Sequence, residues 1–271
     1  RADVNAKDED GSVPLHFAFW NKNGSEIARL LIERGADVNA KSILGNQTPL
    51  HFACESMNGL EIARLLIENG ARVNVKDNGG YTPLLVACLL DDFDLVSVLV
   101  ENGARVNVKN KEGYTPLLGA CRNSDSEIAC FLVENGARVN VKDNRGYTPL
   151  HFAAKYNYAK LAALLLSKGA NTRTLNTNEQ TASQVAKNYN SSDVYQLLTN
   201  PDFRIFECYY TKDIACVRSI LSKNPELAGV CDSRGQTVWH YAVADDSKEL
   251  LALLYSDTSI INIQNQQGQT V

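Results

Sequence analysis

The strongest constraint in this sequence is an internal repeat with a period of about 33 residues. Five prolines recur at nearly equal intervals, of which the first two are slightly longer than the last two: Pro14, Pro49, Pro83, Pro116 and Pro149. A Gly-Ala pair and a Val-Asn pair recur in phase with them, and a threonine precedes all but the first of these prolines. Such a period predicts a stack of similar repeats, because a repeat of this size cannot bury its apolar side chains alone.

Each repeat is expected to hold two short helices. The threonine, as at Thr148, can accept a hydrogen bond from a free backbone N–H at the start of the first helix, and proline fits the first helical position. The second helix carries apolar runs such as residues 62–67, and a glycine such as Gly70 then ends it. The two longer intervals arise from single residues inserted between the helices of repeats one and two and within residues 41–47.

This repeat resembles the ankyrin repeat. Residues 147–154 read Tyr-Thr-Pro-Leu-His-Phe-Ala-Ala, and several repeats close on Gly-Ala-x-Val-Asn, both of which match the ankyrin pattern. The resemblance covers about residues 1 to 190 strongly and resumes more loosely from 203, where residues 235–242 repeat the motif without its proline. It implies an all-α ankyrin solenoid of stacked helix-turn-helix units with hairpin-like loops.

The regular spacing breaks once, between Ala182 and Val238, whose separation is not a whole number of repeats. Pro201 falls inside this break, and the residue before a proline avoids helix. We therefore expect one array of about six repeats at residues 1–200, preceded by the tail of another repeat, and a continuation with two further repeats at 201–271. Residues 1–7 and 268–271 have the pattern of partial repeats, so the chain is expected to continue beyond both ends.

The histidines argue against an enzyme. All four occupy one position of the repeat: His16, His51, His151 and His240. The ankyrin resemblance implies that this imidazole bonds to the backbone of the neighbouring loop, and Leu85 and Leu118 replace it in two repeats. With no histidine left as a general base, and no phosphate-binding or dinucleotide-binding glycine motif, we predict that the chain is not an enzyme and needs no cofactor.

Cysteine usage and charge bound the class of protein further. The seven cysteines include no close Cys-x-x-Cys pair, which predicts reduced thiols, no metal site and an intracellular, most simply cytoplasmic, location. A net charge of -4 and a pI near 5.6 argue against a nucleic-acid binder. No apolar run approaches the length that a membrane-spanning helix needs.

The ankyrin resemblance implies recognition of a protein partner on the concave face formed by the first helices. The candidate contact residues are those that vary within the repeat frame and include apolar, aromatic and arginine side chains, the types that most often anchor interfaces: Trp20, Leu89, Leu90, Arg122 and Tyr156. The alternative for Leu89 and Leu90 is that they pack against an adjacent repeat.

The loop tips of repeats two to four form a second candidate surface. Basic residues recur there at repeat intervals: Arg72, Arg105 and Arg138, with Lys76, Lys109 and Lys142. With Lys111 and Arg145 they give eight positive charges against three negative ones, and Tyr81, Tyr114 and Tyr147 follow the same interval. This pattern suggests binding of an acidic protein segment. The alternative is local ion pairing with Glu68, Glu101 and Glu134, four residues before the arginines.

The sequence therefore favours a monomeric protein–protein interaction scaffold without catalysis. Two alternatives stay open on sequence alone. The array could regulate a larger multidomain protein whose other domain is an enzyme or a channel, or it could be a bacterial effector that acts on host proteins.

Overall fold

The computed structural model describes residues 3–21, 23–56, 58–123 and 126–256. Within these residues the secondary structure consists of α-helices, 3-10 turns and loops, which confirms the all-α prediction. The partial repeat expected at residues 268–271 lies outside the described residues.

The helices come in pairs, one pair in each repeat. In repeats one to four they are Pro14–Phe17 (continued by a 3-10 turn, Ala18–Trp20) and Gly24–Glu33, Pro49–Cys54 and Gly59–Glu68, Pro83–Leu89 and Phe93–Glu101, Pro116–Ala120 and Glu127–Glu134. In repeats five to eight they are Pro149–Tyr156 and Ala159–Ser167, Ala182–Asn188 and Ser192–Thr199, Arg204–Tyr210 and Ile214–Lys223, Val238–Ala244 and Lys248–Ser256.

The chain divides into two compact parts, Arg1–Asn144 and Arg145–Val271. We call them the amino-terminal part, with repeats one to four, and the carboxyl-terminal part, with repeats five to eight. A 3-10 turn, Pro201–Phe203, separates repeats six and seven at the position where the sequence pattern breaks. The division into residues 1–200 and 201–271 stays a prediction.

The helix starts follow the chemistry that the sequence indicates. The side-chain oxygen of Thr82 accepts a hydrogen bond from the N–H of Leu85, and Thr115 does the same for Leu118, both at 3.3 Å. Gly70 ends the second helix of repeat two with φ of +87°, the left-handed conformation that glycine adopts without a steric penalty. These repeats thereby start and stop their helices with their own residues.

Buried apolar side chains line the interior of both parts. In the amino-terminal part Leu50, Leu84 and Leu117 are each 0–1% exposed. In the carboxyl-terminal part a cluster forms around Phe206 and Trp239, which are 1% and 0% exposed. Removal of this apolar surface from water is the main stabilising term for such a stack.

One expectation about the cysteines is wrong. Cys208 and Cys216 form a disulfide in repeat seven, where the turn between its two helices brings their Cα atoms to 5.8 Å. Their spacing along the chain carries no motif, so only the antiparallel pairing of the two helices reveals them as neighbours. Cys54, Cys88 and Cys121 are buried thiols outside any disulfide.

Candidate partner-binding site

Asparagine side chains brace each hairpin loop of the amino-terminal part against the next one. The amide of Asn74 donates a hydrogen bond to the carbonyl of Gly103 at 2.9 Å and accepts one from the N–H of Arg105 at 2.8 Å. Asn39 and Asn107 make the equivalent pairs of bonds one repeat earlier and one repeat later. Because the N–H of an arginine belongs to each brace, the arginines leave the loops at fixed repeat intervals.

We use the name basic strip for the six loop residues Arg72, Lys76, Arg105, Lys109, Arg138 and Lys142. The three arginines are exposed, and none of their guanidinium groups is paired with a carboxylate of the described residues. The arginines therefore do not form the local ion pairs with Glu68, Glu101 and Glu134 that the sequence left open as an alternative. Glu101, for instance, accepts a hydrogen bond from Ser97 instead.

Two lysines of the basic strip link neighbouring loops. The Nζ of Lys76 donates to the carbonyl of Lys109 at 2.9 Å, and the Nζ of Lys109 donates to the carbonyl of Lys142 at 3.0 Å. Each of these two ammonium groups thereby satisfies one of its three donors within the protein and keeps its charge in contact with solvent. Backbone contacts thus hold the cations of Lys76 and Lys109 in a row along the strip.

The predicted tyrosines have three different surroundings. The hydroxyl of Tyr81 donates to Glu112 at 2.9 Å, and partial burial, followed by this hydrogen bond, raises the pKa of the phenol. The ring of Tyr114 lies under the guanidinium of Arg122, 5.3 Å from its Cζ. In the carboxyl-terminal part, Tyr147 packs against His151 and Phe152. The rings of Tyr81 and Tyr114 are therefore engaged separately.

The first helices of the amino-terminal part carry the other candidates. Trp20 is 68% exposed and Leu90 is 54% exposed, so both are available to a partner. Leu89 is only partly exposed, and a Cβ at Gly119 of the next repeat would lie 3.4 Å from its Cδ2. Leu89 thus packs against the adjacent repeat, as the structural alternative for it expects.

Tyr156 lies in the carboxyl-terminal part, where it is 38% exposed. The Nζ of Lys155 lies 5.0 Å from the centre of its ring and 5.5 Å from that of Tyr189. A cation over the face of a tyrosine ring is attracted by its negative face. The rings of Tyr156 and Tyr189 are therefore already in contact with a cation of the same chain.

The expected hydrogen bond from each repeated histidine to the backbone of the neighbouring loop is confirmed for two of them. The Nε2 of His51 lies 3.2 Å from the carbonyl of Tyr81, and that of His151 lies 3.0 Å from the carbonyl of Gln180, so both bridge to the next loop. The Nε2 atoms of His16 and His240 have no hydrogen-bond partner among the described residues. In repeat one the residue inserted in the next loop accompanies this loss.

Sequence reasoning missed three exposed apolar residues in repeat one and the loop after it. Phe17, Ile43 and Leu44 are 45%, 67% and 73% exposed, and Ile43 and Leu44 stand in the inserted stretch after repeat one. An Ile-Leu pair inside a loop insertion was the available signal, since inserted loops are otherwise polar.

Among the described residues no three metal-ligating side chains are grouped. Every helix within 3–256 is too short or too polar to cross a membrane.

Comparison with known proteins decides the family. The family model described as ankyrin repeats (3 copies) matches residues 1–77, 50–143 and 117–207, which together span about three quarters of the chain. The chain belongs to the ankyrin repeat family. Ankyrin repeat protein FPV233 of Fowlpox virus (strain NVSL) is 47% identical over 47 residues, which are 17% of this chain and 9% of that protein. The matched segment is thus a small fraction of the relative's length.

Proposed function

We propose that this ankyrin array is a non-catalytic scaffold that binds an acidic segment of a partner protein along the basic strip, with the exposed first-helix residues Trp20, Leu90, Arg122 and Tyr156 as further contacts. Ankyrin repeats are generally protein–protein interaction modules, and the family is typically non-enzymatic. The scaffold is proposed to act as a monomer.

The proposal rests on the exposure, the pairing and the spacing of three arginines of the basic strip. Arg72, Arg105 and Arg138 are exposed, lack a carboxylate partner among the described residues and are spaced by the asparagine braces. Guanidinium groups bind carboxylates through two parallel hydrogen bonds when the geometry allows. A preorganised row of such groups lowers the ordering cost of binding an acidic segment.

The test is a triple variant in which Arg72, Arg105 and Arg138 become aspartate. Binding of a short fluorescein-labelled peptide, rich in glutamate, is measured by anisotropy at low and moderate salt. The proposal expects binding to the wild type that weakens with salt, and at least a tenfold loss in the variant. Aspartate suits this position of the loop, because Asp37 already occupies it in repeat one and accepts the N–H of Asn39.

A matched control separates local recognition from net charge. Arg29, Arg64 and Lys160 are exposed residues on second helices, and their replacement by glutamate changes the net charge by the same amount. The control should keep most of the affinity. Equal losses in both triple variants would show that binding depends on the net charge of the protein and not on the basic strip. Unchanged binding in the aspartate variant would refute the proposal.

We also propose a cytoplasmic location, supported by the buried thiols of Cys54, Cys88 and Cys121. With Cys130 and Cys231 they are thiols outside any disulfide, and proteins of oxidising compartments more often pair their cysteines. In a reducing compartment the Cys208–Cys216 disulfide is expected to open. Alkylation of the protein in intact cells, followed by mass spectrometry, should label Cys208 and Cys216; a disulfide in all molecules would contradict this location.

A further inference from the structure

A small aromatic cleft lies where the first helices and loops of repeats one and two meet. It has a volume of about 250 Å³ and is lined by Phe17, Trp20, Leu44 and Phe52 among others. The rings of Phe17 and Phe52 both meet Trp20 edge to face, with centroids 5.5 and 6.2 Å away. Because drug-sized ligands need roughly 300–1,000 Å³, this cleft is suited to a single large side chain.

The inserted loop forms one wall of the cleft and presents apolar side chains to solvent. The N–H of Ser42 donates to the carbonyl of Gln47, that of Asn46 donates to Ser42, and that of Ile43 donates to the carbonyl of Asp10 at 2.8 Å. The loop is thus held at its base while Ile43 and Leu44 are 67% and 73% exposed. A cluster of exposed apolar side chains marks an interaction site more often than single ones do.

An unsatisfied hydrogen-bond donor belongs to the same cleft. His16 lines it, is 1% exposed, and accepts a hydrogen bond from the N–H of Val13 at its Nδ1. Burial lowers the pKa of this imidazole, although the nearby backbone of Ala40 and Gln47 raises it in part. Because Nδ1 accepts the N–H of Val13, the neutral ring carries its proton on Nε2, which makes no hydrogen bond with the described residues. An unpaired buried donor is costly, and a ligand that brings an acceptor oxygen recovers that cost.

The rim of the cleft is acidic. Asp10 lines the cleft, and Glu9 precedes it in the chain. Both are exposed, and neither is paired with a cation of the described residues. The neighbouring carboxylate of Asp8 accepts the backbone N–H groups of Asp10 and Ser12 and so holds this turn in shape. Two carboxylates without cations beside an apolar cleft favour a basic residue next to the side chain that fills it.

We propose that the cleft binds one tyrosine side chain of a partner segment in which lysine or arginine flanks that tyrosine. The ring packs among Phe17, Trp20 and Phe52, its hydroxyl oxygen accepts the Nε2–H of His16, and the flanking cations face Glu9 and Asp10. Leu44 and Gln47 are exposed or half-buried and move aside to admit the hydroxyl. The inference rests on the proposed protein-binding function and names the chemistry of a partner segment for a second surface.

Trp20 provides the reporter for the experiment. The second tryptophan, Trp239, is fully buried in the carboxyl-terminal part, so a change in emission on binding reports on Trp20. The probe is the synthetic peptide Ac-Gly-Lys-Arg-Tyr-Arg-Lys-Gly-NH2, titrated into the whole chain. We expect a saturable change in emission, and about tenfold weaker binding when the tyrosine is replaced by phenylalanine, since one hydrogen bond is lost. No saturable change would overturn the proposal.

Two variants test the two halves of the recognition. Leu44→Ser should weaken the tyrosine peptide severalfold, whereas Leu30→Ser, at an exposed leucine on the second helix of repeat one, should leave it unchanged. His16→Leu should bind the tyrosine and phenylalanine peptides equally, and it is expected to fold because Leu85 and Leu118 occupy the same position in repeats three and four. Circular dichroism checks that each variant is folded. A tyrosine preference that survives His16→Leu would overturn the role of Nε2.

The basic strip gives an independent readout. The glutamate-rich peptide should bind the Leu44→Ser and His16→Leu variants as it binds the wild type, and the tyrosine peptide should bind the aspartate triple variant. Failure of the cleft therefore leaves the strip measurements intact. Failure of the strip with an intact cleft signal would refute the acidic-segment proposal alone.

Discussion

The regular loops after repeats two and three and the inserted loop after repeat one solve the same stacking problem differently. In both, a backbone N–H of one loop bonds to a carbonyl of the loop before it: Lys111 to Gly79 in the regular case, and Ile43 to Asp10 in the inserted one. The inserted loop leaves the Nε2 of His16 without a partner among the described residues and projects two apolar side chains outward, whereas the regular loop after repeat two accepts the bond from His51.

This difference teaches how a repeat array acquires an irregular site. The longer loop still makes the backbone link to the loop before it, through Ile43, and the buried leucines lie outside the segment that lengthens, so both tolerate an added residue. The contact that is lost is the long-range bond from the imidazole to the next loop, made by His51 but not by His16. The repeated contacts thus continue to stabilise the stack, and an irregular surface forms beside His16, where one repeated contact is missing.

The largest expected effect contrasts the interior with the inserted loop. Leu84 is fully buried, and Leu84→Ala should lower the free energy of unfolding by about 2–5 kcal/mol through lost burial and a residual cavity. Leu44→Ala, at a 73% exposed position, should change it by less than about 0.5 kcal/mol. Urea unfolding followed by circular dichroism measures both. Similar losses would show that the inserted loop contributes to the packed interior.

Acidification should weaken the stack through its buried histidines. Burial lowers the pKa of His16 and His51, so below about pH 6.5 the unfolded chain binds more protons than the folded one. The free energy of unfolding should then fall as the pH falls, by at most about 1.4 kcal/mol per pH unit for each histidine. Urea titrations at several pH values should give a shallower dependence for His16→Leu and for His51→Leu than for the wild type.

The two histidines should also differ from each other at neutral pH. His51→Leu removes the bond to the carbonyl of Tyr81, whereas His16→Leu removes an Nε2–H that is already unpaired. Both variants lose the backbone N–H bond at Nδ1, and His51→Leu also loses the contact between Nδ1 and the hydroxyl of Thr48. His51→Leu should therefore be the more destabilising by about 1 kcal/mol or more. If the two variants are equally stable, the inserted loop has not changed the energetics of this position.

The smallest effect on stability is expected at the basic strip. Each of the substitutions Arg72→Asp, Arg105→Asp and Arg138→Asp should change the free energy of unfolding by less than about 0.5 kcal/mol, because the guanidinium groups make no ion pair with described residues. Thermal unfolding of the triple variant measures the sum. A large loss would mean that the arginines support the fold and would weaken their assignment to a partner.

The candidate site could be foreseen only where it follows the repeat. The positions of Arg72, Arg105 and Arg138 and the exposure of Trp20 and Leu90 follow from the frame, since a fixed period places equivalent residues on one surface. The packing of Leu89 could not be predicted from the repeat frame, because it depends on the absence of a side chain at Gly119 in the next repeat. The Cys208–Cys216 pair likewise depends on how two antiparallel helices face each other.

The sequence by itself determined the family, the paired helices and their limits, because threonine, proline and glycine act on their own backbone and the period repeats that local instruction. The tertiary structure alone decided which polar atoms find partners across repeats. His16 and His51 occupy identical positions in the pattern, and only the placement of the following loop leaves the first unpaired beside an aromatic cleft and bonds the second to Tyr81. Such contacts join residues about a whole repeat apart in the chain, so the position of the next loop decides whether they form.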